Sequence, residues 1–269
     1  MIDNIYRELV GILNRKETAI LITVIKTEGS VPNKVGAKML LWPDGKTFGT
    51  VGGGTQEAVA LKEAEKIFQS REPGLLTLDL IPGKPASVGS ICGGNLTLYL
   101  EPINMTQKLV IFGCGHVGLE VYKFAKMLDF EVTIIDDRED FANTERFPLA
   151  DRIICKDFIE GVKDIKFDSD TFVLIVTKGH AHDYVVLKSI LALEDEPAYI
   201  GMIGSRKKVK TLFDQLRAEG IPHEKLSNIY SPVGLDIGGD SPAEIAISIL
   251  SEIIKVKYER SGRSLRDEV

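Results

Sequence analysis

The sequence predicts an α/β protein in two parts, an N-terminal α+β domain over 1–103 and a parallel, doubly wound sheet over 108–269, with a linker at 104–107. Three observations carry this. The apolar run Leu109 to Phe112 reads as a buried strand that breaks into Gly113-x-Gly115-x-x-Gly118 and then into an apolar-periodic helix. A second strand, 131–136, ends in Asp136, 23 residues after Gly113. Beyond it, strands and helices alternate, the pattern of a parallel sheet with helices on both faces. Each glycine of the run has a physical job. Gly113 permits the tight strand-to-helix turn, Gly115 lets a phosphate approach the backbone, and Gly118 lets the helix lie close on the sheet. The following helix start offers free N–H groups and partial positive charge to a diphosphate, and Asp136 can take two ribose hydroxyls. Strand, glycines, helix, strand and carboxylate in this register predict a Rossmann-like nucleotide-binding unit.

The elements follow in order. Ile5, Leu9, Ile12 and Leu13 mark an amphipathic helix over 3–15. A β-rich run at 18–25 reads as a central strand, and 29–36 as a loop. The strand at 37–42, the turn Pro43-Asp44-Gly45 and the strand at 47–51 form a hairpin. After Gly52-Gly53-Gly54-Thr55 a helix runs to about Ser70 on Ala58, Leu61, Ala64, Ile67 and Phe68. Strands at 75–81 and 95–100 close the first domain. In the second, strands are expected at 108–112, 131–136, 152–155, 171–176 and 198–203, and helices at 116–128, 183–193, 206–218 and 242–257. Ser241-Pro242-Ala243-Glu244 opens the last helix as a capping box with proline at the first helical position.

Composition narrows the function classes. The 269 residues are 44% hydrophobic and 27% charged, an ordinary soluble composition, with net charge −6. Residues 1–107 balance eleven basic against eleven acidic side chains, so the acidic excess lies wholly in the second part. An acidic chain without a basic tract does not suit a nucleic-acid backbone. No apolar run reaches the roughly 18 residues that span a bilayer. Met1-Ile2-Asp3-Asn4 has neither the basic nor the apolar region of a signal peptide. Three dispersed cysteines, Cys92, Cys114 and Cys155, argue for reduced thiols and a cytoplasmic location rather than a disulfide framework.

Several stretches carry candidate chemistry. Gly52, Gly53, Gly54 and Thr55 repeat the strand–glycine–helix logic, and successive N–H groups there favour an anion; alternatively Thr55 only caps a turn. Cys92-Gly93-Gly94 places a thiol in a glycine loop, fit to touch a soft metal or carry sulfur, or else to pack as a small apolar group. Cys155 reads as core at a strand end, and Cys114 as filler inside the fingerprint. His180-Ala181-His182-Asp183 follows a strand and so falls at the carboxyl edge, where open α/β sheets bind ligands. With only four histidines and no third ligand nearby it suits an anion or substrate better than a metal, and Asp183 can cap the next helix. His116 either hydrogen-bonds a phosphate or fills the helix start. In Ser205-Arg206-Lys207-Lys208 the serine can cap a helix whose start carries three cations, against the macrodipole; either an anion relieves them or they form a solvated basic turn. Asp236 and Asp240, in a glycine-rich segment before the last helix, either orient a ligand or belong to a capped loop.

Taken in order, these motifs resemble the XdhC/CoxI family, accessory proteins for molybdenum hydroxylases such as xanthine dehydrogenase. The resemblance covers nearly the whole chain. In the first domain it rests on Gly29-Ser-Val-Pro-Asn-Lys-Val-Gly-Ala-Lys-Met39, Gly49-Thr-Val-Gly-Gly-Gly54, Cys92-Gly-Gly94 and Leu100-Glu-Pro102. In the second it rests on Phe112-Gly-Cys-Gly-His-Val117, Asp136-Asp-Arg138, His180-Ala-His-Asp183, Gly201-Met-Ile-Gly-Ser-Arg206 and Ser231-Pro-Val-Gly-Leu-Asp-Ile-Gly238. It implies a chaperone that binds molybdenum cofactor, as molybdopterin or its nucleotide form, protects it during sulfuration and delivers it to the hydroxylase subunit. A cysteine desulfurase and a second copy of the chain are the other implied partners. Cys92 would be the soft contact, and the glycine loops with Arg138 and the crevice residues would hold the phosphate or nucleotide tail. Many members carry a cysteine or an apolar residue near Thr55 and Gln56, so this chain lacks a second thiol there. An NAD(P)-dependent oxidoreductase and a nucleotide-sensing regulator remain the alternatives. The first needs a general acid beside a hydride acceptor, which His180 or His182 would have to supply, and the sequence offers no Tyr-x-x-x-Lys pair or other recognised acid–base set.

Overall fold

The computed structural model describes residues 2–15, 17–29, 31, 34–79 and 94–268. The chain divides into two compact units, Met1–Met105 and Thr106–Val269. Cys92 and Gly93, and the end of the strand expected at 75–81, lie outside the described residues.

The first unit contains α1 (Ile2–Arg15), β1 (Ala19–Gly29), β2 (Lys38–Leu41), β3 (Thr47–Gly49), α2 (Gly54–Ser70), β4 (Gly74–Asp79) and β5 (Gly94–Ile103). The strands form an antiparallel sheet in the order β3-β2-β1-β5-β4. Strand alternation decides which helix each side chain meets. Ile20, Ile22 and Val24 of β1 join Ala60, Ala64 and Ile67 of α2 in one core. Ala19 and Leu21 point the other way, to Ile5 and Ile12 of α1 and to Trp42. The strand is longer than the run at 18–25 suggested. Past Val24 its pairing with β5 slips by one residue and continues to Gly29↔Gly94. That extension is polar and exposed, so hydrophobic pattern alone did not reveal it.

The second unit contains β6 (Lys108–Phe112), α3 (His116–Met127), β7 (Glu131–Asp136), β8 (Arg152–Cys155), α4 (Phe158–Lys163), β9 (Thr171–Ile175), α5 (His180–Leu191), β10 (Tyr199–Met202), α6 (Arg206–Ala218), α7 (His223–Ser227), β11 (Ile229–Tyr230) and α8 (Pro242–Lys257). Its six strands are all parallel, in the order β8-β7-β6-β9-β10-β11. Strand order reverses between β6 and β9, which places a crevice at their carboxyl ends. Val110 and Phe112 pack with α4, α5 and α6, while Leu109 and Ile111 pack with α3 and α8. The α8 cap holds both ways: Ser241 Oγ accepts from Glu244 N and the Glu244 carboxylate accepts from Ser241 N.

Three short elements, α4, α7 and β11, escape the sequence reading because each is too brief for its periodicity to register. Two side chains differ more instructively. Helix α5 begins at His180 rather than 183, so Asp183 lies inside its first turns and does not cap it. Cys155 is exposed, not core, because β8 is the edge strand. Cys114 is buried, and both thiols are free. No helix of the described residues is long and apolar enough to cross a membrane.

Candidate functional site

The three fingerprint glycines do different work. Gly113 has φ +110, and a Cβ there would stand 2.3 Å from the carbonyl oxygen of Val176, just past the end of β9. A Cβ on Gly118 would stand 2.1 Å from the Gly113 carbonyl oxygen. Both glycines are therefore demanded by the fold. A Cβ on Gly115 would meet nothing within 4 Å. The open face over Gly115 is where a ligand can come close to the backbone. Gly115 is also the N-cap of α3 and offers no side-chain acceptor, so the first N–H groups of the helix are left for a ligand or water. His116, next in line, is exposed.

Asp136 ends β7 beside this turn and is almost wholly buried. Its Oδ2 accepts from Cys114 N (2.7 Å) and Arg138 Nη2 (2.9 Å). Its Oδ1 accepts from Arg138 Nε (2.8 Å) and Arg138 N (3.2 Å). A carboxylate has about four lone-pair sites, and here all are taken. Burial alone would raise its pKa, but the Arg138 guanidinium and the Cys114 N–H outweigh it and hold the carboxyl below its ordinary range. Arg138 in turn is held above its ordinary value by Asp136. The sequence reading gave Asp136 to a ribose. In the fold its carboxylate is spent on tying the glycine turn to Arg138, which leaves no acceptor for a ribose diol while that pair stands. Burial pushes the Cys114 thiol well above its usual range, so it is inert.

The same pattern recurs at the other glycine loops. In the first unit Glu57 Oε1 accepts from Thr50 Oγ1, from Val51 N (3.1 Å) and from Gly53 N (3.0 Å). Burial works against ionisation, but these bonds prevail and keep the Glu57 carboxyl below its normal range. The anion expected in the Gly52–Gly54 loop is thus supplied by the chain itself. Thr55 makes no cap; the N-cap of α2 is Gly53. Gly94 has a packing reason of its own, since a Cβ there would stand 2.3 Å from the Glu28 carbonyl oxygen.

At the end of β9, Asp183 turns back from α5. Its Oδ1 accepts from Thr177 Oγ1 (2.6 Å) and Thr177 N (3.2 Å). Burial raises its pKa above the ordinary value despite these bonds. His180 is exposed, with Nδ1 3.7 Å from Asp183 Oδ2. His182 is half-buried, edge-on to Phe158 at 5.5 Å between ring centroids. Gly179 caps α5 without a side-chain acceptor, and a Cβ on it would meet nothing within 4 Å. Ser205 is the N-cap of α6 but its hydroxyl makes no cap bond. Arg206, Lys207 and Lys208 are exposed and make no ion pair among the described residues.

The parallel sheet therefore brings Gly113, Gly115, His116, Asp136, Arg138, His180, His182, Asp183, Ser205 and Arg206 to one carboxyl edge. Neither the histidines nor the carboxylates converge on a metal: among the described residues no group of three or more such ligands could hold one. Asp236 and Asp240 stay exposed, and the buried carboxylate of that region is Glu252, which accepts from Tyr199 Oη and Gly234 N. Sequence reasoning missed Phe141 and Arg146 beside the turn. Arg138 lies over the Phe141 ring at 3.6 Å, and Arg146 donates to the Cys114 carbonyl. It also missed Lys178, which reaches Asp137 at 3.0 Å. The sequence signal for Lys178 and Asp137 was adjacency to Gly179 and Asp136; Phe141 and Arg146 had none. A separate cavity of about 320 Å³, lined by Leu191, Tyr199, Ile200, Lys225, Ile229 and Tyr230, opens at the amino ends of β10 and β11, on the opposite edge.

This is a dinucleotide-type parallel sheet with its glycine turn intact, preceded by an antiparallel-sheet unit. The chain belongs to the XdhC/CoxI family. Residues 109–253 match the XdhC Rossmann domain, and residues 12–79 match the XdhC and CoxI family. Among relatives, YqeB of Escherichia coli is 32% identical over 96% of this chain, although the chain spans only 47% of that protein's length. The molybdenum cofactor insertion chaperone PaoD of Escherichia coli is 24% identical, covering 97% of this chain and 90% of its own. A Bacillus halodurans crystal structure described as a xanthine dehydrogenase shares the fold with a TM-score of 0.51, at 24% identity, over 97% of this chain and 98% of its own.

Proposed function

We propose that this protein is a maturation factor that binds molybdenum cofactor as cargo and assists its sulfuration and insertion into a molybdenum hydroxylase. The observation that carries the reading is the end-to-end similarity, in both units, to a molybdenum cofactor insertion chaperone. The local chemistry fits such cargo. A pterin dithiolene with a phosphate or nucleotide tail needs an open backbone surface for its anionic end. The bare faces over Gly115 and Gly179, at two helix starts without side-chain caps, supply one. The saturated Asp136 carboxylate, with no acceptor left for a ribose diol, speaks against a nicotinamide oxidoreductase. Cys92 is the proposed soft contact to the cargo, and a hydroxylase subunit, a cysteine desulfurase and a second copy of the chain are the proposed partners.

The test is retention. The protein is purified from cells making the cofactor, and bound pterin is read by fluorescence after oxidation, with molybdenum by mass spectrometry. Retention above a non-binding control protein, lost in Cys92→Ala, is expected. Retention no greater than the control sinks the reading. Turnover of NADH or NADPH by the purified protein would favour the oxidoreductase instead.

A further inference from the structure

We propose that Lys178 is the cation that receives the phosphate of the crevice ligand, and that Asp137 is its resting partner. The inference rests on the reading of the carboxyl-edge crevice as a site for a phosphate-bearing ligand.

Register fixes the geometry. Phe112 of β6 pairs with Ile135 of β7 on one side and Ile175 of β9 on the other. Asp137 follows the end of β7, and Lys178 follows Ile175 by three residues. Neighbouring strands lie about 4.8 Å apart, so β7 and β9 are separated by about 10 Å with β6 between them. The Lys178 Nζ contacts to Asp137 Oδ2 (3.0 Å) and Oδ1 (3.2 Å) therefore bridge the carboxyl end of β6, where the glycine turn begins. Gly113 follows Phe112 directly and Gly115 stands two residues on, so the proposal sets the lysine beside the open face of Gly115.

The surrounding charges separate the two ends of this pair. Asp137 also has Arg138 Nε at 3.8 Å, whereas Lys178 has no second anion among the described residues. Asp136 cannot serve as an alternative anchor for the lysine, because its four acceptor sites are filled. For the same reason the ligand's handle here is phosphate and not ribose. A phosphate arriving at Gly115 meets helix N–H groups and competes with Asp137 for Lys178, while Asp137 itself repels it. The side chains are 40% and 28% exposed, so the resting pair is weak enough to exchange.

The two partners of one ion pair then have opposite effects on binding, which a purely structural bridge would not produce. Inorganic pyrophosphate and ADP are titrated calorimetrically into the full chain at fixed ionic strength, with adenosine as the unphosphorylated control. Asp137→Asn frees the lysine and removes a repulsion, and should tighten both phosphates by about three- to tenfold. Lys178→Met should weaken them by about tenfold or more, and Lys178→Arg should keep most of the affinity. Adenosine should bind no variant measurably. Weakening by Asp137→Asn, indifference to Lys178→Met, or no pyrophosphate binding by the wild type each overturn the proposal. Because these probes contain no molybdenum, the result is independent of cofactor retention. Retention without the opposed pattern fails this inference alone, and the opposed pattern without retention fails only the choice of cargo.

Discussion

Replacing the fingerprint glycines one at a time by alanine separates the two jobs that a glycine-rich turn can do. At Gly118 the new methyl would sit 2.1 Å from the Gly113 carbonyl oxygen, a distance real Cβ atoms do not tolerate. The obstacle is backbone, so no rotamer change relieves it. Overpacking of this kind costs about 1–3 kcal/mol or more, against a helix-propensity gain of about 1 kcal/mol for Gly→Ala. The net expectation is a loss of about 1 kcal/mol or more, a fall in Tm of roughly 2–4 °C or more for a unit of this size. At Gly113 the clash is similar and φ +110 adds strain. At Gly115 nothing lies within 4 Å, and alanine at an N-cap forfeits less than about 1 kcal/mol relative to glycine. Gly115→Ala should therefore fold almost normally yet bind pyrophosphate more weakly, since its methyl stands where the phosphate approaches. Urea unfolding and calorimetric titration of the three variants give both readings. A stable Gly118→Ala, or a Gly115→Ala with undiminished phosphate affinity, would refute the division of labour.

Two carboxylates allow further tests. Asp136→Asn should cost about 2–4 kcal/mol, because it leaves Arg138 and the turn without their buried anion. The folded pKa of Asp136 lies below its unfolded value of about 3.9, so its contribution is whole above that value and is lost as pH falls through the lower, folded one. The variant should accordingly lose part of the acid limb of the stability profile on the acid side of about pH 4, and an unchanged limb would count against the assignment. Glu57→Ala should empty the Gly52–Gly54 loop at a cost of about 1 kcal/mol. Added phosphate should then raise the Tm of the variant but not, through this loop, that of the wild type; equal shifts would mean that Glu57 does not occupy an anion site.

The legible parts of the fold were those with a strong period or an obligatory residue. The β6–α3–β7 unit was read from an apolar run, three glycines and a carboxylate, and α8 from its capping box. What was not legible depended on a neighbour. Cys155 looked like core until β8 proved to be the edge strand. Asp183 looked like a cap until α5 began three residues earlier and its carboxylate turned back to Thr177. The Gly52–Gly54 loop looked open because sequence shows glycines but not the rotamer of Glu57. Lys178 and Asp137, 41 residues apart, had no pattern to join them.

By itself the sequence determined that a nucleotide-type turn exists, where it lies, and which family carries its motifs in this order. Those are local matters: backbone freedom at Gly113, close packing at Gly118, and the run of strands and helices around them. Only the tertiary structure decided what each anion-seeking feature is already holding. Glu57 fills the first glycine loop, Asp136 is saturated by Arg138 and Cys114, and Lys178 rests on Asp137. The physical reason is that a hydrogen bond is spent on whichever acceptor the fold brings within 3 Å or so, and that neighbour is rarely a neighbour in sequence.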